Sequence, residues 1–346
     1  MSRDQGVRRA QGGRLGILFA LIGVLVVLVA VVGATVLYGH VELEAAGSGG
    51  PVVITVRAGE SLGQLADSLE DQGLIKSALW FSAYARVRGV HLRAGRYQVD
   101  SAMEASEILN VLEGPPYCAP VRVVIPEGFT VDQIADRVAS TAGLGISRQE
   151  YLAAVAGDSF AAPFLSMRPA GDTSLEGFLF PDTYQFTDCT SAHQVVQAQL
   201  SDFQQKALAN LPSSGTSAYA DLITASIVQA EGLTGDFPKI ASVVDNRLAI
   251  DMDLQIDAIV MYGLHESGEA MSGADEAVDT PYNSYLHAGL PPTPIDNPGV
   301  DAVQAAAHPA STSYLYYVSA CGQTYYSTTE AVHQQQVQEY LGKPCP

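Results

Sequence analysis

Between Leu15 and Tyr38 the chain reads LGILFALIGVLVVLVAVVGATVLY, a run without one charged side chain. As a helix rising ~1.5 Å per residue it is roughly 36 Å long, more than the ~30 Å hydrocarbon core of a bilayer, so the pattern predicts a transmembrane helix over 15–38. A cleaved leader fits less well, because its apolar run is about 7–15 residues and no small-x-small site stands out ahead of Tyr38 and His40. Arg3, Arg8, Arg9 and Arg14 precede the span, while Glu42 and Glu44 follow it. The arginine-rich flank predicts residues 1–14 in the cytoplasm and everything beyond Tyr38 outside.

The period then shortens. Residues 39–51 read as a Gly/Ser/Ala tether, and Val52 to Val56 as a β-branched strand. Gly59 marks a turn, and Ser61 caps a helix burying Leu62, Leu65, Ala66 and Leu69. The unit recurs further on: Val121 to Ile125 is a strand, Gly128 matches Gly59, Thr130 matches Ser61, and Gln133-Ile134-Ala135-Asp136 matches Gln64-Leu65-Ala66-Asp67. Between the copies, Leu92 to Val99 is another strand, and Glu104 to Leu112 a helix stopped at Gly114-Pro115-Pro116. A strand, a glycine turn and a short helix resemble a LysM-type glycan-binding module; a spacer without a ligand has the same pattern. A composition break at Pro169-Ala170-Gly171-Asp172 opens a region rich in Tyr, Asn, Pro and Gly. There helices are expected at about 192–210, 218–231, 238–249 and 330–341, with strands near 314–319 and 323–327. The predicted class is α+β.

Charge narrows the partners. With 18 Lys+Arg against 37 Asp+Glu, the formal net charge is −19. Setting aside residues 1–14 leaves 14 basic and 36 acidic residues, so the acidity belongs to the exported part. Nucleic acid is excluded as a partner, since phosphate contacts need clustered Lys and Arg. Cys118, Cys189, Cys321 and Cys345 all lie where disulfides persist. Sequence does not choose among their three pairings; Cys118–Cys189 with Cys321–Cys345 is the working expectation. No Cys-x-x-Cys or His-x-x-x-His spacing supports a metal. None of the four lysines follows a Ser or Thr by three positions, and there is no Gly-x-Ser-x-Gly elbow or phosphate-binding loop. Any catalysis must come from carboxylates.

Glu231 is the most informative of these. It ends the predicted helix Ala218 to Glu231 just before Gly232, stacked over Ile227 and Val228. An acid leaving an apolar face at the negative end of a helix has its proton held more tightly, as a general acid requires. A fraying Glu at an exposed helix end is the competing reading. Glu176 and Asp182 lie among aromatic residues in Leu175 to Tyr184, and Thr280 to Gly299 is a Pro/Gly-rich loop presenting Tyr and Asn. Aromatic faces and amides suit sugars; a packed loop satisfying its own backbone is the alternative.

At these residues the chain resembles the YceG-like endolytic murein transglycosylases. The resemblance rests on Glu176-Gly177-Phe178-Leu179-Phe180-Pro181-Asp182-Thr183-Tyr184, Ala225-Ser226-Ile227-Val228 with Glu231, Val243-Val244-Asp245-Asn246-Arg247-Leu248, and Leu254-Gln255-Ile256-Asp257. It continues through Tyr282-Asn283-Ser284-Tyr285, Gly289-Leu290-Pro291-Pro292, Asn297-Pro298-Gly299, Ala305-Ala306-Ala307-His308-Pro309 and Tyr314-Leu315-Tyr316-Tyr317-Val318, and covers the chain from Leu15 onward. It implies a LysM-like region over 52–170 and a mixed α/β catalytic domain over 171–346. It also implies non-hydrolytic cleavage between N-acetylmuramic acid and N-acetylglucosamine in peptidoglycan strands, leaving 1,6-anhydro ends, without metal or cofactor and beside peptidoglycan synthases. The acid/base falls on Glu231, with Glu176, Gln255, Asn283 and Tyr285 as candidates for holding the sugars. A non-catalytic, membrane-tethered peptidoglycan-binding protein is the alternative. Many relatives carry another Glu where this chain has Gln229, which on an ideal helix leaves about 200° from Glu231 and is expected to face away from it.

Overall fold

The computed structural model describes residues 7–157, 159–211, 216–266 and 270–341. Its contacts divide the chain into two compact units, Met1–Cys118 and Ala119–Pro346.

The first unit begins with α1 (Val7–Glu42). Its stretch Leu18–Glu42 is long and apolar enough to cross a membrane, and its most apolar window is not buried inside the protein. Beyond it, β1 (Pro51–Val56) pairs antiparallel with β2 (Gly95–Asp100), Ile54 opposite Tyr97. Against the sheet lie α2 (Leu62–Asp71), α3 (Ala78–Arg88) and α4 (Ala105–Glu113). Alternation in β1 sends Ile54 and Val56 inward, where they meet Leu65, Leu69, Phe81, Ile108 and Leu112. Thus the expected strand–turn–helix is present, with Gly59 at a positive φ of 78° and a reciprocal capping box between Ser61 and Gln64.

The second copy has the same local form, with Gly128 at φ 76° and a capping box between Thr130 and Gln133. Here β3 (Pro120–Val124) pairs with β4 (Thr183–Thr187), far away in sequence. Its helix α5 (Val131–Ser140) buries Ile134, Ala135 and Val138 in one core with Phe178, Leu222 and Val303. The division expected at residue 170 therefore falls inside this core, because β4 supplies the strand that β3 needs.

Around the core stand α6 (Arg148–Gly157), α7 (Ala192–Asp202), α8 (Thr216–Glu231), α9 (Phe237–Leu248), α10 (Asp257–Gly263) and α11 (Val300–Ala307). The hairpin β5 (Tyr316–Ala320) and β6 (Gln323–Ser327) turns at Cys321-Gly322, both with positive φ, before α12 (Glu330–Tyr340). Helix α8 occupies the centre, with Leu222, Ala225, Ser226, Ile227 and Val228 almost wholly buried. Cys118, Cys189 and Cys321 are disulfide-bonded, and Cys345 lies outside the described residues.

Candidate active site

Apolar residues on all sides hold α8 in the core, and the polar groups on it anchor the loop that wraps its end. The Ser226 hydroxyl donates to the Ile223 carbonyl and accepts from the Ile295 amide at 3.0 Å. The Gln229 side-chain oxygen accepts from the Gly299 amide at 3.0 Å. A side chain on Gly232 would stand 2.7 Å from Ile240 and 2.9 Å from Phe237, so a glycine is needed where the chain leaves Glu231.

The Glu231 carboxyl accepts a hydrogen bond from the Tyr317 hydroxyl of β5 at 2.8 Å. Burial raises its proton affinity, the nearby Asp257 carboxylate adds to this, and the Tyr317 hydroxyl and the Ala258 amide partly offset it; the net direction is upward. Two cavities meet at Glu231 and Asp257. One, of about 600 Å³, is bordered by Gln255, Tyr285, Tyr316 and Arg247. The other, of about 420 Å³, is bordered by Glu127, Gly128, Gln229 and Asp296. Glu231 is thus flanked by space on both sides.

The predicted site residues divide. Gln255 and Tyr285 lie in the first cavity with Glu231, and the Tyr285 hydroxyl donates to Asp257 at 2.6 Å. Gln255 has a φ of 48°, and its backbone N–H donates a hydrogen bond to the Ser284 carbonyl at 3.0 Å. Asn283 is fully buried. Its amide donates to the Glu276 and Val278 carbonyls and its oxygen accepts from the Tyr285 amide, so it braces the loop that carries Tyr285. Glu176 lies under the start of α5 and borders a third cavity. It accepts from the Val131 amide at 3.0 Å, from the Asn297 side-chain amide at 2.7 Å and from the Tyr262 hydroxyl at 3.1 Å. It therefore joins three segments of the core that bear the site. Gln229, expected to face away from Glu231, borders the second cavity with it. The groove crosses the end of the helix, where side chains leaving in different directions both reach it.

Arg247 and Tyr317 appeared in the sequence only as parts of matching motifs. The Arg247 guanidinium donates to the carbonyls of Leu315 and Leu254 and lies 5.2 Å from the Tyr316 ring centroid. It ties β5, and with it Tyr317, to the segment before α10. An arginine on the buried side of an amphipathic helix was the available signal.

Burial pushes the Glu176 carboxyl up to about 8, against the pull of its donors. The folded chain then holds a proton that the unfolded chain releases near its ordinary value, so stability should fall as pH rises from about 4.5 to 8. Chemical denaturation of Glu176→Gln should show a flatter slope over that interval. An unchanged slope would remove Glu176 as its source.

A family model described as YceG-like matches residues 54–339. The chain is 29% identical over 321 residues to an endolytic murein transglycosylase of Streptococcus pneumoniae, aligning 84% of itself with 58% of that protein. It is 29% identical over 330 residues to one of Bacillus subtilis, covering 90% of itself and 91% of that protein. It thus spans little more than half the length of the streptococcal relative. In the solved structures, a yceG-like protein of Listeria monocytogenes superposes with a TM-score of 0.56 at 33% identity, over 82% of this chain and 98% of that one. With a family match over most of its length and a solved relative covered almost end to end, this chain belongs to the YceG-like family.

Proposed function

We propose that the chain is a membrane-anchored endolytic lytic transglycosylase. It cleaves the β-1,4 bond between N-acetylmuramic acid and N-acetylglucosamine inside peptidoglycan strands. The observation that carries this reading is the partly buried carboxyl of Glu231, with raised proton affinity, at the junction of two cavities. The names of the relatives support it.

In the proposed step Glu231 gives its proton to the glycosidic oxygen as the bond to the muramyl C1 breaks. The resulting carboxylate takes the proton of the muramyl C6 hydroxyl, whose oxygen closes on C1. The 1,6-anhydro ring forms, no water is consumed, and Glu231 regains its proton. Tyr317 holds one carboxyl oxygen in place, and Asp257 raises proton affinity and steadies positive charge developing at C1. Gln255 and Tyr285 hold sugars in the first cavity, while Glu176 and Asn283 contribute through the loops that they fix. Helix α1 anchors the enzyme with residues 1–14 in the cytoplasm, so that it cuts strands near the membrane and ends their elongation beside the synthases. The β1-to-α4 module of the first unit is LysM-like and adds affinity for the strand.

Mass spectrometry of the products from full-length protein in detergent with isolated glycan strands tests the reaction. Anhydro-ended fragments from strand interiors are expected. Reducing ends would identify a two-carboxylate hydrolase instead. Binding without any cleavage would favour a tethered binding protein.

A further inference from the structure

Two carboxyls are fully buried beside the groove, Glu176 and Asp296, and they differ in one respect. Glu176 has donors on both oxygens. Asp296 is 3% exposed, and its Oδ1, itself sealed from solvent, meets no hydrogen-bond partner among the described residues. A buried acid left open is costly and calls for a reason.

Its surroundings rule out slack packing. The Ile295 amide bonds to Ser226, the Asn297 amide and side chain to the Phe129 carbonyl, and the Gly299 amide to Gln229. The carboxyl is thus carried on a segment bonded on either side of it. It borders the second cavity, the one that Glu231 also borders. A side chain on Gly128 would stand 3.5 Å from Asp296 Oδ2 and 3.4 Å from Gln229, so the glycine backs directly onto both. The titratable groups around this space are Glu127, Glu231 and Asp257 at its walls and Glu176 behind; among the described residues no Lys, Arg or His borders it.

We propose that Asp296 is a substrate-contacting residue of the transglycosylase, donating a hydrogen bond from its open carboxyl to the acetamido oxygen of the sugar held in the cavity beside Glu231. This rests on the reading of Glu231 as the acid. Burial and the nearby Glu176 drive the Asp296 proton affinity well above the ordinary range, which suits a donor. An acetamido carbonyl is an acceptor that a protonated carboxyl can hold, whereas a carboxylate-bearing group would meet no cation among the described residues of the cavity wall.

Binding and turnover separate this inference from the underlying one. In a Glu231→Gln background, where Glu231 no longer titrates, affinity for purified glycan-strand fragments should fall as pH rises through the Asp296 value. Adding Asp296→Asn should remove that fall, because the amide has no proton to lose. With Glu231 intact, Asp296→Ala should raise KM about tenfold, the worth of one neutral hydrogen bond, with a smaller effect on kcat. Its melting temperature should hold or rise, since an unpartnered buried acid is removed; a structural residue would lower it. Wild-type KM in a folded Asp296→Ala variant, or an alkaline fall in affinity that persists in Asp296→Asn, overturns the proposal. A wild-type protein that binds fragments but never cleaves them defeats the transglycosylase reading instead.

Discussion

Glu231→Gln should lower the rate of strand cleavage by roughly 10³- to 10⁴-fold, the upper range for a general acid–base group, because in the proposed step one carboxyl serves both halves. Glutamine keeps the length and still accepts the Tyr317 hydroxyl, so the site should hold its shape. The melting temperature should therefore stay within about 2 °C of wild type, since no buried partner is stranded. Release of anhydro-ended fragments, measured with a melt of the same preparation, is the check. A variant within tenfold of wild type would mean that the proton comes from elsewhere, with Asp257 the first alternative.

Asn297→Ala should have the largest effect on stability. The Asn297 side chain is fully buried and makes three bonds: its oxygen accepts from the Leu179 amide at 2.8 Å, and its amide donates to the Phe129 carbonyl at 2.9 Å and to Glu176 at 2.7 Å. Truncation strands the buried Leu179 amide and takes one of two donors from the Phe129 carbonyl and from Glu176 Oε1, which keep the Asn297 and Val131 backbone amides. At roughly 1–3 kcal/mol for the stranded amide and about 1 kcal/mol for each of the two other bonds, the loss is about 3–5 kcal/mol. For a unit of this size that is a fall in melting temperature of about 10 °C. Asn297→Asp should be worse, because it sets a second carboxyl against Glu176. A fall of less than about 3 °C for Asn297→Ala would show that water replaces the lost bonds.

The two substitutions also show where sequence reading reached and where it stopped. Glu231 could be singled out because its context is local: an apolar helix, a terminal acid and a following glycine are all read within a few residues. Asn297 and Glu176 are 121 positions apart. The aromatic neighbours of Glu176 suggested a sugar cleft, and only its partners show a carboxyl engaged in holding segments together. Asn283 presents the same lesson, since an amide in a Pro/Gly-rich loop looks available until its bonds to Glu276, Val278 and Tyr285 are seen. The direction of Gln229 followed from an ideal helix, and that geometry says nothing about a groove passing over the helix end.

Sequence by itself therefore determined the long apolar helix, the two strand–turn–helix units with their glycine turns and capping boxes, and the helix that ends in Glu231. Each depends on periodicity, capping or a positive φ, which neighbouring residues impose on one another. Tertiary structure alone decided that the second unit belongs with Ala119–Pro346, that Tyr317 meets Glu231, and that Asp296 borders the adjoining cavity with one oxygen unpartnered among the described residues. Those outcomes rest on pairings between segments tens of residues apart, such as β3 with β4 and α8 with β5, and no short window of sequence encodes which distant segment will complete a sheet or cover a charge.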